Sequence, residues 1–406
     1  MVNWNDKFAE RTAYMKRSTI REILKLTQRP EVISFAGGLP APELFPLERV
    51  QAAARAVLEQ RGQQALQYST TEGCDELRDW VAARLSRGGL TITRDNVLIV
   101  SGAQQAIDLV GRVLLDDGDT VVLENPTYLG MLAAWRPYNL HYSVIPTDAD
   151  GLLVDRLDKV LVRRPKLIYL VPNFQNPQGI TLSWERREQL VECLVEYGAV
   201  VIEDNPYGEL RYSGSHIPSL YEFDASCRGS RSLDGHVIYA GTFSKILAPG
   251  LRLGWVAAPT PVIEKLVQAK QGADLQSGTL SQLVAYETCK DGFIEEHIER
   301  LRAVYRERRD LMLAAMEEFF PQEARWSKPE GGLFLMVSLP EFLDASDLLK
   351  EAINRQVAFV PGQDFHVEGG YNTFRLNFSN AQPAQIEEGI RRLGRLLKDV
   401  VVRQPA

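Results

Sequence analysis

Between residues 96 and 240 the chain alternates short apolar runs with stretches whose apolar residues recur at helical spacing. The apolar runs fall at 96–100, 120–123, 166–171, 199–202 and 237–240. Runs this short and this evenly apolar predict strands buried on both faces, as in a parallel sheet. The intervening segments 104–115, 128–135 and 184–197 predict amphipathic helices that cover it. Two further helices are expected upstream, over 47–61 and ending at Leu85. Alternation of this kind predicts an α/β layer fold around a mostly parallel sheet.

The pattern changes near residue 290. A long charged amphipathic helix is expected over 292–320, then a strand at 332–337, a helix at 345–355, strands at 358–360 and 373–378, and a closing helix at 383–398. These predict a smaller α+β domain, with the long helix as its link to the first. At the other end, Thr19 and Glu22 have capping-box spacing, and Ile20, Ile23, Leu24 and Leu26 follow at helical intervals. So short a helix must dock on something larger. Prolines and the Gly37-Gly38 pair then exclude regular structure over most of 30–46. Gly37 and Gly38 would let backbone come close to a ligand. The expected division is 1–46 as an N-terminal helix with an irregular substrate-covering segment, 47–291 as the large domain, and 292–406 as the small one.

Composition narrows the partners. With 406 residues the chain can bury a large core, and 45% hydrophobic with 24% charged content is that of a globular protein. A formal charge of −7 argues against a general nucleic-acid binder. No apolar run is long enough to span a bilayer, and the first residues lack the basic-then-apolar order of a signal peptide. Cys74, Cys193, Cys227 and Cys289 are scattered, which suits reduced thiols and a cytoplasmic location. The five histidines are dispersed, so no metal site is expected.

In open α/β sheets, ligands sit beyond the carboxyl ends of the strands. The residues just after each predicted strand are therefore informative. Ser101-Gly102-Ala103-Gln104-Gln105 is a small-residue turn entering a helix, a setting that binds anions. Glu124-Asn125-Pro126-Thr127-Tyr128 brings an aromatic to the sheet edge, and Pro172 to Gly179 carries Asn176. Glu203-Asp204-Asn205-Pro206-Tyr207 sets a carboxylate three residues before a tyrosine, and Thr242-Phe243-Ser244-Lys245 ends in a lysine. Singly, each is an ordinary turn or cap. Together they supply a phosphate cradle, an aromatic plate, an amide, a carboxylate and an amine, which matches a pyridinium aldehyde phosphate.

With Pro172 to Gly179, Asp204 to Tyr207 and Ser244-Lys245 through Arg252, the sequence resembles the fold-type I, class I/II aminotransferases that depend on pyridoxal 5′-phosphate (PLP). The likeness covers nearly the whole chain. Ser18 to Glu22 and Ala36 to Pro40 are most similar to the 2-aminoadipate and kynurenine aminotransferase branch. The resemblance implies that Lys245 is the Schiff-base lysine and proton shuttle. Asp204 would pair with the pyridine nitrogen, Tyr207 and Asn176 with the ring O3′, and Tyr128 would stack on the ring. Ala103, Gln104, Thr242, Ser244 and Arg252 would hold the phosphate. Alanine at 103 replaces a serine often found there, so that contact falls to the backbone. Tyr68 would reach the neighbouring subunit's cofactor in a homodimer with shared sites. Arg375 would clamp the substrate carboxylate, with Asn176, Gly38, Ser18 and Arg21 also on substrate.

The implied reaction moves an amino group from an L-amino acid to a 2-oxo acid, with 2-oxoglutarate the expected acceptor, by a ping-pong cycle. 2-Aminoadipate, glutamate, leucine and aromatic amino acids are the expected donors, and Arg21 the expected reader of a distal carboxylate. The same scaffold also hosts β-lyases and decarboxylases, which these residues do not separate. A non-catalytic effector-binding module is the remaining alternative, and the intact Lys245 argues against it.

Overall fold

A computed structural model describes residues 1–15 and 31–402. The helix expected over 19–26, with Ser18 and Arg21, lies outside the described residues. After Ile33–Ser34 (β1), the centre of the chain forms an eight-stranded sheet. Its strands are Val97–Val100 (β2), Thr120–Asn125 (β3), His141–Asp148 (β4), Gly151–Leu152 (β5), Leu167–Leu170 (β6), Val201–Asp204 (β7), Val237–Thr242 (β8) and Gly254–Ala257 (β9). Their order is β2-β9-β8-β7-β6-β3-β4-β5. β4, β3, β6, β7 and β8 are mutually parallel, whereas β9 runs antiparallel to both β2 and β8, and β5 to β4.

The predicted strands are present with ends shifted by a few residues. β2, β6, β7, β8 and β9 are buried throughout, because helices cover both faces of the sheet. Three strands of this sheet were not anticipated, the two-residue β5 among them. β4 is mostly half-exposed or exposed, so its polar positions hide it from an apolar-run criterion. β9 follows β8 after a turn in which Arg252 takes a left-handed φ of 52°, and its four residues extend an already apolar stretch. Helix ends follow local chemistry. Ser183 accepts from the Arg186 N–H at the start of the helix Trp184–Tyr197, and Gly198 closes it at φ 61°.

The second sheet is built from Arg325–Trp326 (β10), Phe334–Ser338 (β11), Val360–Pro361 (β13) and Thr373–Asn377 (β14), in the antiparallel order β10-β11-β14-β13. The strand expected at 358–360 is split. Val357–Ala358 (β12) instead pairs in parallel with β1, tying the irregular segment before residue 47 to this side of the molecule. The helix Phe293–Phe319 spans 27 residues, about 40 Å, and packs on the closing helix Pro383–Val402. Leu301, Tyr305, Met312 and Met316 form one buried stripe along it. The Tyr305 hydroxyl accepts from the Ala41 N–H at 3.1 Å and holds the irregular segment in place. Among the described residues no helix is long and apolar enough to cross a membrane, and all four cysteines are free.

Met312 is fully buried in the same apolar cluster as Leu393 and Leu396. Met312→Ala is expected to destabilise the fold by about 2–5 kcal/mol through lost contact and a residual cavity, read from the denaturation midpoint. A shift under about 0.5 kcal/mol would show that this seam is not tightly packed.

Candidate active site

The carboxyl ends of β3, β6, β7 and β8 open into one cavity of ≈ 690 Å³, which Arg375 of β14 reaches from the second sheet. Thr242 ends β8. Its hydroxyl donates to the Leu253 carbonyl at 3.1 Å and accepts from the Ser244 N–H at 3.1 Å. That pair folds the turn which delivers Ser244 and Lys245 to the cavity. The Lys245 amine donates to the Gly38 carbonyl at 2.7 Å. Burial, with the positive charges of Arg375 and Arg252 nearby, pushes its pKa down to about 8.

At one end of the cavity, Arg252 meets the N-terminus of the helix Ala103–Leu114. Its Nη2 donates to the Ser101 carbonyl at 3.4 Å, and a Cβ on Gly102 would come within 2.9 Å of that nitrogen. Gly102 also sits at φ 88°, so both its conformation and its space require glycine. Ala103, Gln104, Ser244 and Arg252 line this end together. A cation facing unpaired helix N–H groups is an anion cradle. Gln104 accepts from the Tyr128 hydroxyl at 3.2 Å and donates to the Gly130 carbonyl at 2.7 Å. The Tyr128 ring lies where a side chain on Gly130 would fall, 2.4 Å from an added Cβ. Burial pushes the Tyr128 phenol up to about 12.

Asp204, the last residue of β7, is buried. The Tyr169 hydroxyl donates to its Oδ2 at 2.6 Å, while Oδ1 has no partner and the side chain lines the cavity. Burial raises its pKa to about 7, opposed by the Tyr169 hydrogen bond. Tyr207 is buried edge-on to Phe334 with ring centroids 5.8 Å apart, and burial holds its phenol far above the usual range. At the other end Arg375 is buried, with its guanidinium 4.2 Å from the Phe334 ring centroid and 4.9 Å from that of Phe365. It donates to Asn176 Oδ1 and to the Ala36 carbonyl, both at 2.7 Å. Among the described residues it forms no ion pair, and burial pulls its pKa down to about 10.

The cavity thus gathers Lys245, Ala103, Gln104, Tyr128, Asn176, Asp204, Tyr207, Thr242, Ser244, Arg252, Gly38 and Arg375. Tyr68 is not among its lining residues and is 78% exposed. Ser18 and Arg21 lie outside the described residues. Sequence reasoning passed over Tyr169, Phe365 and Gly130. Only Tyr169 carried a signal: a phenol inside the apolar run of β6 needs a buried hydrogen-bond partner.

Residues 32–393 match the family of class I and II aminotransferases. The chain belongs to that family. It is 44% identical to the 2-aminoadipate transaminase of Thermus thermophilus over 98% of each chain. Its identity to the aromatic-amino-acid aminotransferase 1 of Thermococcus litoralis is 42%, covering 98% of this chain and 95% of that one. Among solved structures it resembles an α-aminoadipate aminotransferase from T. thermophilus complexed with N-(5′-phosphopyridoxyl)-L-leucine, with a TM-score of 0.92, 43% identity, and coverage of 99% of this chain and 100% of the other. The aminotransferase is a PLP-dependent enzyme. Its cavity fits that cofactor: Asp204 keeps an unpartnered buried oxygen, the Lys245 amine is pushed down to about 8, and Gly102 lets the Arg252 guanidinium come close to the helix N-terminus, a pairing of cation and helix end that suits a phosphate.

In the cofactor-free aminotransferase, labelling of Lys245 by an amine-acylating reagent should rise with a midpoint near pH 8, followed by mass spectrometry. Arg375→Met removes a neighbouring positive charge and should move that midpoint upward. A midpoint at the ordinary lysine value near 10.4 would refute the electrostatic picture.

Proposed function

We propose that this aminotransferase moves the amino group of an L-amino acid to 2-oxoglutarate in a ping-pong cycle, with the work divided among the residues of this cavity. The observation that carries the reading is Arg375: a buried guanidinium, packed against the rings of Phe334 and Phe365 and free of any ion pair among the described residues, in the same cavity as Lys245. Such a group is suited to a carboxylate that arrives with the substrate.

When bound, PLP supplies an electron sink that stabilises negative charge at the substrate Cα. Lys245 would hold it by its aldehyde carbon and Asp204 by its ring nitrogen. Asn176 and Tyr207 would take the ring hydroxyl oxygen, and Tyr128 the ring face. Ser244, Thr242, Arg252, Gln104 and the Ala103 backbone would take the phosphate, alanine having no hydroxyl to offer. Arg375 binds the α-carboxylate and, with Asn176, fixes the amino acid. Once released, the Lys245 amine is favoured in its neutral form by its burial. It therefore takes the proton from Cα and returns it to the carbon that carried the aldehyde. After the 2-oxo acid leaves, 2-oxoglutarate enters on the same Arg375 and the steps run in reverse.

Leu129, Ala133 and Phe334 give the cavity an apolar wall, which supports leucine and aromatic donors. Relatives named for 2-aminoadipate and aromatic amino acids support a broad range. Lys245, Arg252 and Arg375 are the cations lining the cavity among the described residues, and each has another task. We therefore assign a distal substrate carboxylate to Arg21. The exposure of Tyr68 supports its service to a neighbouring subunit in a homodimer. Residues 1–46, 47–291 and 292–406 are proposed as the working domains.

Arg375→Gln should lower kcat/KM for every amino-acid donor by about thirtyfold or more, with cofactor retention unchanged. Equal activity in the variant would remove Arg375 from the carboxylate site. A donor panel with 2-oxoglutarate, run on wild type and Arg21→Ala, tests the substrate assignment. The variant should lose glutamate and 2-aminoadipate turnover while keeping leucine. Parallel losses on both donor classes would refute the role given to Arg21, and pyruvate with ammonia as products would point to elimination instead.

A further inference from the structure

Asp204 is a carboxylate without a counter-charge. It forms no ion pair among the described residues, one of its oxygens is unpartnered, and the side chain is almost fully buried. In that setting a carboxyl group favours its neutral form. A neutral carboxyl is a poor partner for a protonated pyridine ring. One donor opposes this outcome: the hydroxyl of Tyr169, 2.6 Å from Oδ2.

The placement of Tyr169 follows from the sheet. β6 lies beside β7 in parallel register, with Tyr169 opposite Ile202. Asp204 stands two residues beyond Ile202 and so on the same face. The phenol spans that interval. Its ring is fully buried and meets Trp135 edge-on, with centroids 5.8 Å apart at 79°. Trp135 is fixed in turn: its indole N–H donates to the Ile107 carbonyl at 2.9 Å, and a Cβ on Gly111 would come within 2.5 Å of that nitrogen. Burial and the neighbouring Asp204 charge hold the phenol proton in place. The hydroxyl therefore stays a donor, and the carboxylate stays the acceptor.

We propose that Tyr169 is a positioning residue, whose hydroxyl, steered by Trp135, keeps Asp204 ionised and leaves Oδ1 open to the cavity, so that β6 governs the protonation of the cofactor's ring nitrogen. The inference rests on Asp204 being the ring-nitrogen partner. A plain packing role would make the hydroxyl dispensable, because phenylalanine fills the same space against Trp135. Tyr169→Phe isolates the hydroxyl for that reason.

The test uses the holoenzyme loaded with PLP labelled with nitrogen-15 in the ring. Wild type should show the ring nitrogen in its protonated position by nuclear magnetic resonance. Tyr169→Phe should shift the signal toward the unprotonated position and weaken cofactor affinity about tenfold to hundredfold, the range for losing a hydrogen bond to a charged group. Asp204→Ala should shift it fully. Should the phenylalanine variant not fold, 3-fluorotyrosine at position 169, a stronger donor of similar size, should tighten cofactor binding. A protonated signal and unchanged affinity in Tyr169→Phe, beside a shifted signal in Asp204→Ala, would overturn the role of Tyr169 and leave that of Asp204 standing. With the fluorinated residue, unchanged or weaker affinity would overturn it likewise. A signal still protonated in Asp204→Ala would instead overturn the assignment of Asp204, and this inference with it.

Discussion

Three ionisable groups are taken from water around one cavity with no opposite charge to pair with. Asp204 and Arg375 are buried and Lys245 partly so, and none forms an ion pair among the described residues. Each is pushed toward its neutral form by burial, the aspartate to about 7, the lysine to about 8, the arginine to about 10. Such an arrangement is unfavourable in a fold left to itself. It persists because neutral groups satisfy part of each charge: a phenol on Asp204, a carbonyl on Lys245, an amide, a carbonyl and two ring faces on Arg375. What those groups leave unsatisfied is what a cofactor and substrate of complementary charge would satisfy.

The sheet makes this possible by geometry. The carboxyl ends of β3, β6, β7 and β8, with the turns that follow them, face one cavity and carry its polar residues. Away from the rim, β2, β6, β7, β8 and β9 are buried throughout, and most of their residues are apolar. Arg375 enters from a separate antiparallel sheet, held by the long helix Phe293–Phe319 and by the pairing of β1 with β12. The irregular segment with Gly37 and Gly38 supplies carbonyls to both Lys245 and Arg375 through Gly38 and Ala36. A stretch that forms almost no secondary structure thus connects the two halves of the site.

Much of this is legible in the order of residues alone. The alternation of apolar runs and amphipathic segments determined an α/β fold, because a strand buried on both faces has no room for polar residues. Reading the residues after each run brought Lys245, Asp204, Tyr207, Asn176 and the Ala103–Gln104 turn together, because in such sheets the strand ends share one rim. Tertiary structure alone decided the rest. β4, β5 and β9 escaped notice: β4 for its polar edge, β5 for its two-residue length, and β9 because its four residues follow the Pro249-Gly250 turn inside an already apolar stretch. That Tyr169 serves Asp204 depends on the register of β6 against β7, and that Phe334 and Phe365 enclose Arg375 depends on β11 and a turn meeting β14. Those are contacts between residues far apart in the chain, and local pattern carries no record of them. The sequence by itself determined which chemical groups the rim would hold. Only the packed structure decided which neighbours set their charge.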